Sequence, residues 1–417
     1  MKKIILSGMI GNGLEWYDYA VYSYFVTTFS KLFFPAGNDS AHLLAVFGIY
    51  AVGFVARPFG AILFGRMGDR LGRRAALVAS IFLMAIPTGC IGLLPTYEQV
   101  GIAAPLLLTL MRLLQGLSLG GEFSGSMTYL IEHSPSEKRG AVGSTVVSSL
   151  IVGFIFGSLL ALGIKAATTE TQFDSWGWRI PFLLGVPIAL IGFYIRHHCE
   201  ESPTYVAAKR EGTLSKTPLR DTMVFERWRI LQAICIYISV TMPFYLITTY
   251  FLSFTERSLG RSKEEALAIN LSNMLILLVI STVSAWLSDR FGRKRVMMLT
   301  AVAYLLLSYP LMQLMQRPEF SSILLAQALM AVMIGFYIGP VPAVLVEMFP
   351  TRIRSTAMAL AYNISAAMFG GTSPMVNEWL IRVTGTNLAI AGYLMVCAAV
   401  SFVALGLYRD GYREALR

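Results

Sequence analysis

Apolar residues run along this chain in long blocks, without the strict alternation of a half-buried strand or the single apolar stripe of a surface helix. No Asp, Glu, Lys or Arg interrupts 230–255, 266–288, 296–316, 320–346, 355–377 or 383–408. Each block exceeds the ~20 residues that span a bilayer as a helix. The pattern predicts an all-α polytopic membrane protein with twelve transmembrane helices, at 4–32, 43–65, 75–95, 101–132, 139–165, 178–196, 229–255, 265–288, 295–316, 319–348, 354–381 and 386–408. Lys2 and Lys3 ahead of "IIL" resemble the start of a signal peptide. Gly8, Gly11, Asn12, Glu15 and Asp18 break any apolar core there, and no small-residue cleavage pattern follows, so the segment reads as the first span.

Composition agrees: 55% of the 417 residues are hydrophobic and 14% charged, against about 25% charged in soluble domains. Cysteines 90, 199, 235 and 397 are scattered, which suggests neither a metal site nor a disulfide framework. The formal charge of +10 fits membrane topology better than nucleic-acid binding. One set of loops, together with both termini, carries 24 of the 34 Lys and Arg residues, and the opposite set carries seven. The positive-inside rule makes the rich side cytoplasmic, with both termini there. The expected location is a bacterial inner membrane, and the expected state is a monomer. The polar stretch after span 6 divides the chain into an N-terminal six-helix bundle (1–196), a cytoplasmic linker (197–228) and a C-terminal six-helix bundle (229–417).

The halves echo each other. "GRMGDRLGRR" follows span 2 and "AWLSDRFGRK" follows span 8, so Asp69, Arg70 and Arg73 match Asp289, Arg290 and Arg293. "EHSPSEKR" and "EMFPTRIR" follow spans 4 and 10, so Glu132 and Arg139 match Glu347 and Arg354. Such internal repeats are a recurrent design of secondary transporters, with the solute bound near the bilayer midplane. Asp69 stands at the C-terminal end of its helix, where the dipole disfavours an anion, so it needs a cation or another helix's N-terminus. These ten residues are expected to gate the cytoplasmic side.

The motif from Gly65 to Arg74 resembles the signature loop of the major facilitator superfamily, with Ala285 replacing the first glycine in the second copy. "GNGLEWYDYAVY", "ARPFGAILFGRMGDRLGRR", "RLLQGLSLGGEFSGSMTYLIEHSP", "WGWRIPFLLG" and "EESPTY" resemble the metabolite:proton symporter family, most densely over the first 205 residues. The resemblance implies two pseudo-symmetric bundles that rock about a central solute, and proton-coupled import of organic acids or of zwitterions such as proline and betaine. Osmosensing members carry a C-terminal coiled coil that this sequence lacks, which tilts the expectation toward an organic acid or amino-acid-like solute. Proton-coupled efflux by the same fold is the alternative. The drug antiporters' Gly-Pro pair is missing from "SSLIVGFIFGSLLALG". No clustered His, Cys or Ser suggests an enzyme, and no cofactor is expected beyond the proton as coupling ion.

Five ionisable residues fall well within spans: Glu15, Asp18, Arg57, Arg112 and Glu122. Intramembrane charge costs at least ~2.5–3.5 kcal/mol per residue and marks function by default. Glu15, Asp18 and Glu122 are the candidate proton-coupling acids. Asn12, Glu15, Asp18, Tyr19 and Tyr22 form one helical stripe. Arg112, on one face with Gln115, is placed to meet an anionic solute or an acid of helix 1, and Arg57 beside Pro58 is assigned a structural role. Asn12, Tyr22, Arg112 and Gln115, with Tyr237, Tyr245, Tyr337 and Asn363 of the uncharged second half, form the candidate solute site. Pro243, Pro340 and Pro342 mark expected kinks.

Overall fold

The computed structural model describes residues 2–35 and 39–416, and every regular element is helical. Nine helices among the described residues are long and apolar enough to cross a membrane. The chain divides into two compact units. One holds Met1–His133, Ser149–Leu219 and Thr351–Ala359, and the other Ser134–Ser148, Arg220–Pro350 and Leu360–Arg417. These limits differ from the boundaries suggested by the sequence. Residues 197–219 pack with the first unit, and 134–148 and 351–359 each join the unit to which their half does not belong.

The first unit contains α1 (Lys2–Tyr24), α2 (Val26–Leu32), α3 (Asp39–Arg70), α4 (Arg73–Leu93), α5 (Ala103–Glu132), most of α6 (Arg139–Ala167), α7 (Arg179–His197) and the short linker helix α8 (Pro203–Arg210). Lipid does not drive apolar helices together as water does, so close packing of small residues holds them. Helices α3 and α5 touch backbone to backbone: a Cβ on Gly60 would collide with the Leu117 carbonyl, one on Gly116 with that of Gly53, and one on Gly120 with that of Arg57. Val55, Phe59 and Leu63, four residues apart on the other face of α3, are exposed. Phe25, Phe29, Phe33, Trp178 and Phe182 form an aromatic core beside α2, several of them edge to face.

The second unit contains α9 (Pro218–Phe225) from Arg220 onward, α10 (Arg227–Tyr245), α11 (Lys263–Phe291), α12 (Arg293–Met315), α13 (Phe320–Ile338), α14 (Val341–Met348), α15 (Arg354–Ser365) from Leu360 onward, α16 (Ser373–Thr384) and α17 (Ala389–Leu407). Spans expected to be continuous are broken where backbone donors are missing. The 319–348 span divides into α13 and α14 at Pro340 and Pro342. The 354–381 span becomes α15, a π-turn at Ala366–Gly370, and α16 with Pro374 in its first turn. Gly370 allows the Tyr245 ring to lie where a Cβ would come within 2.6 Å of it. Pro243 precedes a second π-turn, Leu246–Tyr250. The 4–32 span also restarts after Tyr24, with no proline there and the Phe25 N–H still donating to the Tyr22 carbonyl at 3.0 Å.

Candidate solute and coupling site

The stripe on α1 meets three helices. Asn12 donates to the Ser149 hydroxyl of α6 at 2.8 Å. Asp18 accepts from Arg112 Nη1 of α5 at 2.9 Å, and the same nitrogen donates to Gln115 at 2.7 Å. Gln115 in turn donates to Thr88 of α4 at 2.8 Å. The Arg112 guanidinium lies 3.5 Å from the Tyr22 ring centroid, so the cation rests on the aromatic face. Of the two partners the sequence allows for Arg112, the structure provides the acid of α1. Arg57 lies over the rings of Phe54 at 4.3 Å and Tyr19 at 5.5 Å.

Glu122 is held by a residue at the very end of the sixth expected span. Arg196, near the end of α7, is buried and bidentate on Glu122, with Nη1 at 2.9 Å from Oε2 and Nη2 against Oε1. Its remaining donors reach the carbonyls of Ser7 at 2.9 Å and Leu77 at 2.6 Å. Ser80 and Ser126 complete the shell at 2.5 and 3.2 Å. Gly11 is the reason α1 accommodates this pair, because a Cβ there would occupy the guanidinium and the carboxylate. With Arg196 added to the five intramembrane residues named from the sequence, two acid–arginine pairs account for four of these six.

Glu15 is the acid left over. Its side chain is 1% exposed, and among the described residues neither carboxyl oxygen has a hydrogen-bond partner. The charges that act on it are Glu122 and Arg196 on one side of the stripe, Asp18 on the other, and Arg57 of α3. None of the arginines forms an ion pair with it within 4.0 Å among the described residues.

The candidate residues of the second unit have local partners. Tyr237 meets the Tyr362 ring edge to face at 5.3 Å, and Tyr245 meets Phe244 in the same way at 5.7 Å. Thr241 lies 3.2 Å from the Ser365 hydroxyl. Tyr337 donates its phenol proton to the Ile236 carbonyl at 2.9 Å, which ties α13 to α10. Asn363 is buried.

The repeated loops build matching clamps, one in each unit. Asp69 accepts the backbone N–H groups of Ser355 and Thr356, at 3.1 and 2.9 Å, where α15 begins. Asp289 accepts those of Gly140 and Ala141, both at 2.8 Å, where α6 begins. Each acid sits at the unfavourable end of its own helix dipole and the favourable end of another. Arg73 bonds Asp69 at 3.0 Å, and Arg293 bonds Asp289 at 2.5 Å. Glu132 joins Arg73 at 3.2 Å to Arg354 at 2.6 Å, and Glu347 joins Arg293 at 3.3 Å to Arg139 at 3.6 Å. Arg70 and Arg290 stand outside these buried clusters: Arg70 donates to the Lys216 carbonyl, and Arg290 stacks on Trp286 at 3.8 Å.

The clamps also explain the missing glycine. A Cβ on Gly65 would lie 2.7 Å from Thr356 Cα. In the second copy the small residue is on the other side of the contact: a Cβ on Gly140 would lie 2.6 Å from the Ala285 carbonyl oxygen. Ala285 is tolerated because Gly140 makes the room. Gly140→Ala is therefore expected to lower stability by about 1–3 kcal/mol, the usual range for overpacking. Gly392→Ala, with nothing within 4 Å of the added atom, should leave the thermal midpoint in detergent unchanged.

The linker motif "EESPTY" closes the first clamp. Glu201 accepts the N–H groups of Arg73 and Arg74 at 3.0 and 3.2 Å and so caps α4. Ser202 bonds Glu132, and Tyr205 donates to the Arg70 carbonyl at 2.8 Å, capping α3. In the second unit Asp410 takes the place of Glu201, accepting the Lys294 N–H at 2.9 Å. The motif was visible in the sequence, but its partners are 70 to 135 residues away along the chain.

A family profile described as "Sugar (and other) transporter" matches residues 4–407. The proline/betaine transporter of Escherichia coli K12 is 34% identical over 413 residues, covering 97% of this chain and 82% of that protein. The glycine betaine/proline/ectoine/pipecolic acid transporter OusA of Dickeya dadantii is 34% identical over 418 residues, covering 98% and 83%. A structure of the proton:xylose symporter XylE superposes with a TM-score of 0.81 at 19% identity, covering 99% of this chain and 97% of that one.

Proposed function

We propose, from the premise that this chain belongs to the metabolite:proton symporters within the sugar (and other) transporter family, that it imports a small zwitterion of the proline or betaine kind, driven by protons. It is a multi-pass membrane transporter and not an enzyme. The observation that carries the coupling reading is Glu15, a buried carboxyl without a hydrogen-bond partner among the described residues, beside two acids that already have arginines. A lone carboxylate in a medium of low dielectric is costly, and binding a proton removes that cost. Glu15 is thus the acid that gains or loses a proton with the least disturbance of its surroundings, and Asp18 and Glu122 serve mainly to neutralise arginines.

The relatives' names support the solute class. A zwitterion needs a cation partner for its carboxylate and an acceptor for its ammonium. Within the first unit Arg112, with Gln115, Asn12 and Tyr22, has the chemistry for the first, and within the second unit the aromatic rings of Tyr237 and Tyr245, together with Asn363, have the chemistry for the second. Tyr337, tied to the Ile236 carbonyl, supports the wall. The two clamps are the cytoplasmic gates of a rocking cycle between six-helix halves, and both termini lie in the cytoplasm. In proteoliposomes, uptake of labelled proline or glycine betaine should rise with an inward proton gradient and collapse with a protonophore. Uptake indifferent to the gradient would refute proton coupling, and absence of uptake for both compounds would refute the solute class.

A further inference from the structure

A cavity of about 210 Å³ lies in the second unit where α10 begins, α17 ends and α6 starts. Arg139, Arg229 and Arg409 line it, opposed by Glu347 and Glu414. Both carboxylates are already engaged: Glu347 by Arg293 at 3.3 Å and Arg139 at 3.6 Å, and Glu414 by Arg409 at 3.1 Å. Arg139 is buried, donates through Nη1 to the Glu414 carbonyl at 2.7 Å, and among the described residues leaves Nε without a hydrogen-bond partner. Arg229 bonds Glu226 at 2.9 Å with its side chain 46% exposed. Three arginines therefore line this space, Arg139 paired with Glu347, Arg229 with Glu226 and Arg409 with Glu414, each through only part of its five-donor fork, and this lining suits an anion that accepts several forked donors.

The surroundings identify which anion. Helices α10 and α17 are both long and apolar enough to cross a membrane. Leu407, which lines the cavity, is 80% exposed, and Trp228 and Leu231 beside Arg229 are 71% and 48% exposed. A free inorganic anion needs no such apolar rim, whereas a phospholipid needs one for its chains. An exposed Trp at the end of a spanning helix also marks the headgroup level. We propose that this cavity holds the phosphate of an anionic phospholipid, with its acyl chains lying along Leu231 and Leu407. The inference requires only that α10 and α17 span the bilayer, and it is independent of which solute is carried.

The test uses the full-length protein in neutral detergent, titrated separately with phosphatidylglycerol, phosphatidylcholine and inorganic phosphate while the thermal midpoint is followed. Phosphatidylglycerol should raise the midpoint, and the other two should not. Arg229→Ala with Arg409→Ala should weaken the apparent affinity for phosphatidylglycerol by about tenfold or more, given roughly 1 kcal/mol per basic residue near an anionic headgroup. Arg229→Lys with Arg409→Lys should retain most of it. An equal response to phosphatidylcholine, a full response to phosphate alone, or undiminished affinity in the double alanine variant would overturn the proposal. If that variant does not fold, the phosphatidylglycerol molecules retained by Arg229→Gln in native mass spectrometry decide the matter: fewer than in the unaltered protein supports the site, and the same number overturns it.

Discussion

Glu15→Gln is expected to abolish gradient-driven accumulation while leaving solute exchange across the membrane intact. Gln is nearly isosteric and permanently neutral, so it mimics the protonated acid and cannot release a proton. The substitution removes no ion pair, because Glu15 has none among the described residues. Folding should therefore survive, and purified variant and parent should unfold at similar temperatures. With a gradient of one pH unit, a one-proton symporter can concentrate a neutral solute roughly tenfold, since one unit corresponds to about 1.4 kcal/mol. In the variant this concentration ratio should fall to one, while counterflow of labelled against unlabelled solute continues. Asp18→Asn is a different perturbation. It withdraws the carboxylate from Arg112, 2.9 Å away, and leaves a guanidinium at membrane depth with less compensation. Binding should suffer there along with coupling. Retention of full accumulation by Glu15→Gln would assign the proton to Asp18 or Glu122.

How much of this was legible from the sequence depends on the range of the interaction. The spans were, because a membrane helix declares itself within about 20 consecutive residues. So were the repeated loops, and the need of Asp69 for a cation or a second helix's N-terminus followed from the dipole alone, although not that Arg73 and the start of α15 both supply it. The breaks at Pro340 and after Pro243 were legible as kinks. The π-turn at Ala366–Gly370 was not, because the charge-free run 355–377 continues straight through it. Arg196 did not stand out, because it lies beside His197 and His198 at the polar end of its span, where basic residues normally mark the cytoplasmic surface. A signal was present all the same. Gly185, Ala189, Gly192 and Arg196 follow at helical spacing, and all four are buried. A Cβ on Gly192 would press within 2.6 Å of Ile81 and 3.0 Å of Ile10, so this face of α7 packs against α4 and α1. A long cationic side chain one turn further along the small-residue face has the interior of the unit as its surroundings. The family resemblance covered the motif "EESPTY" without giving its purpose, since its residues act only where distant helix ends come together.

The Arg196–Glu122 pair separates structural from coupling acids most sharply, and its disruption should be among the most damaging single changes in the protein. Arg196→Met leaves Glu122 buried with Ser80 and Ser126 as its donors among the described residues and frees the carbonyls of Ser7 and Leu77. Removing one partner of a buried pair typically costs about 3–5 kcal/mol, because the other charge remains uncompensated. That is a large part of a typical folding free energy of roughly 5–15 kcal/mol. Thermal unfolding in detergent should show a fall of several degrees or loss of the folded fraction. Replacing both residues, Arg196→Met with Glu122→Met, should recover much of the loss, since apolar replacement of a whole buried pair is often close to neutral. Two outcomes then discriminate. If the double variant folds and still accumulates solute against a gradient, Glu122 only balances Arg196, and the proton is carried elsewhere on the α1 stripe. If it folds and exchanges solute but no longer accumulates it, Glu122 takes part in coupling, and the unpartnered state of Glu15 has another cause. The tight fit at Gly11 adds a further constraint: Gly11→Ala would push directly on the guanidinium and carboxylate. It should therefore destabilise the parent more than the Met–Met variant, whose flexible thioethers can give way.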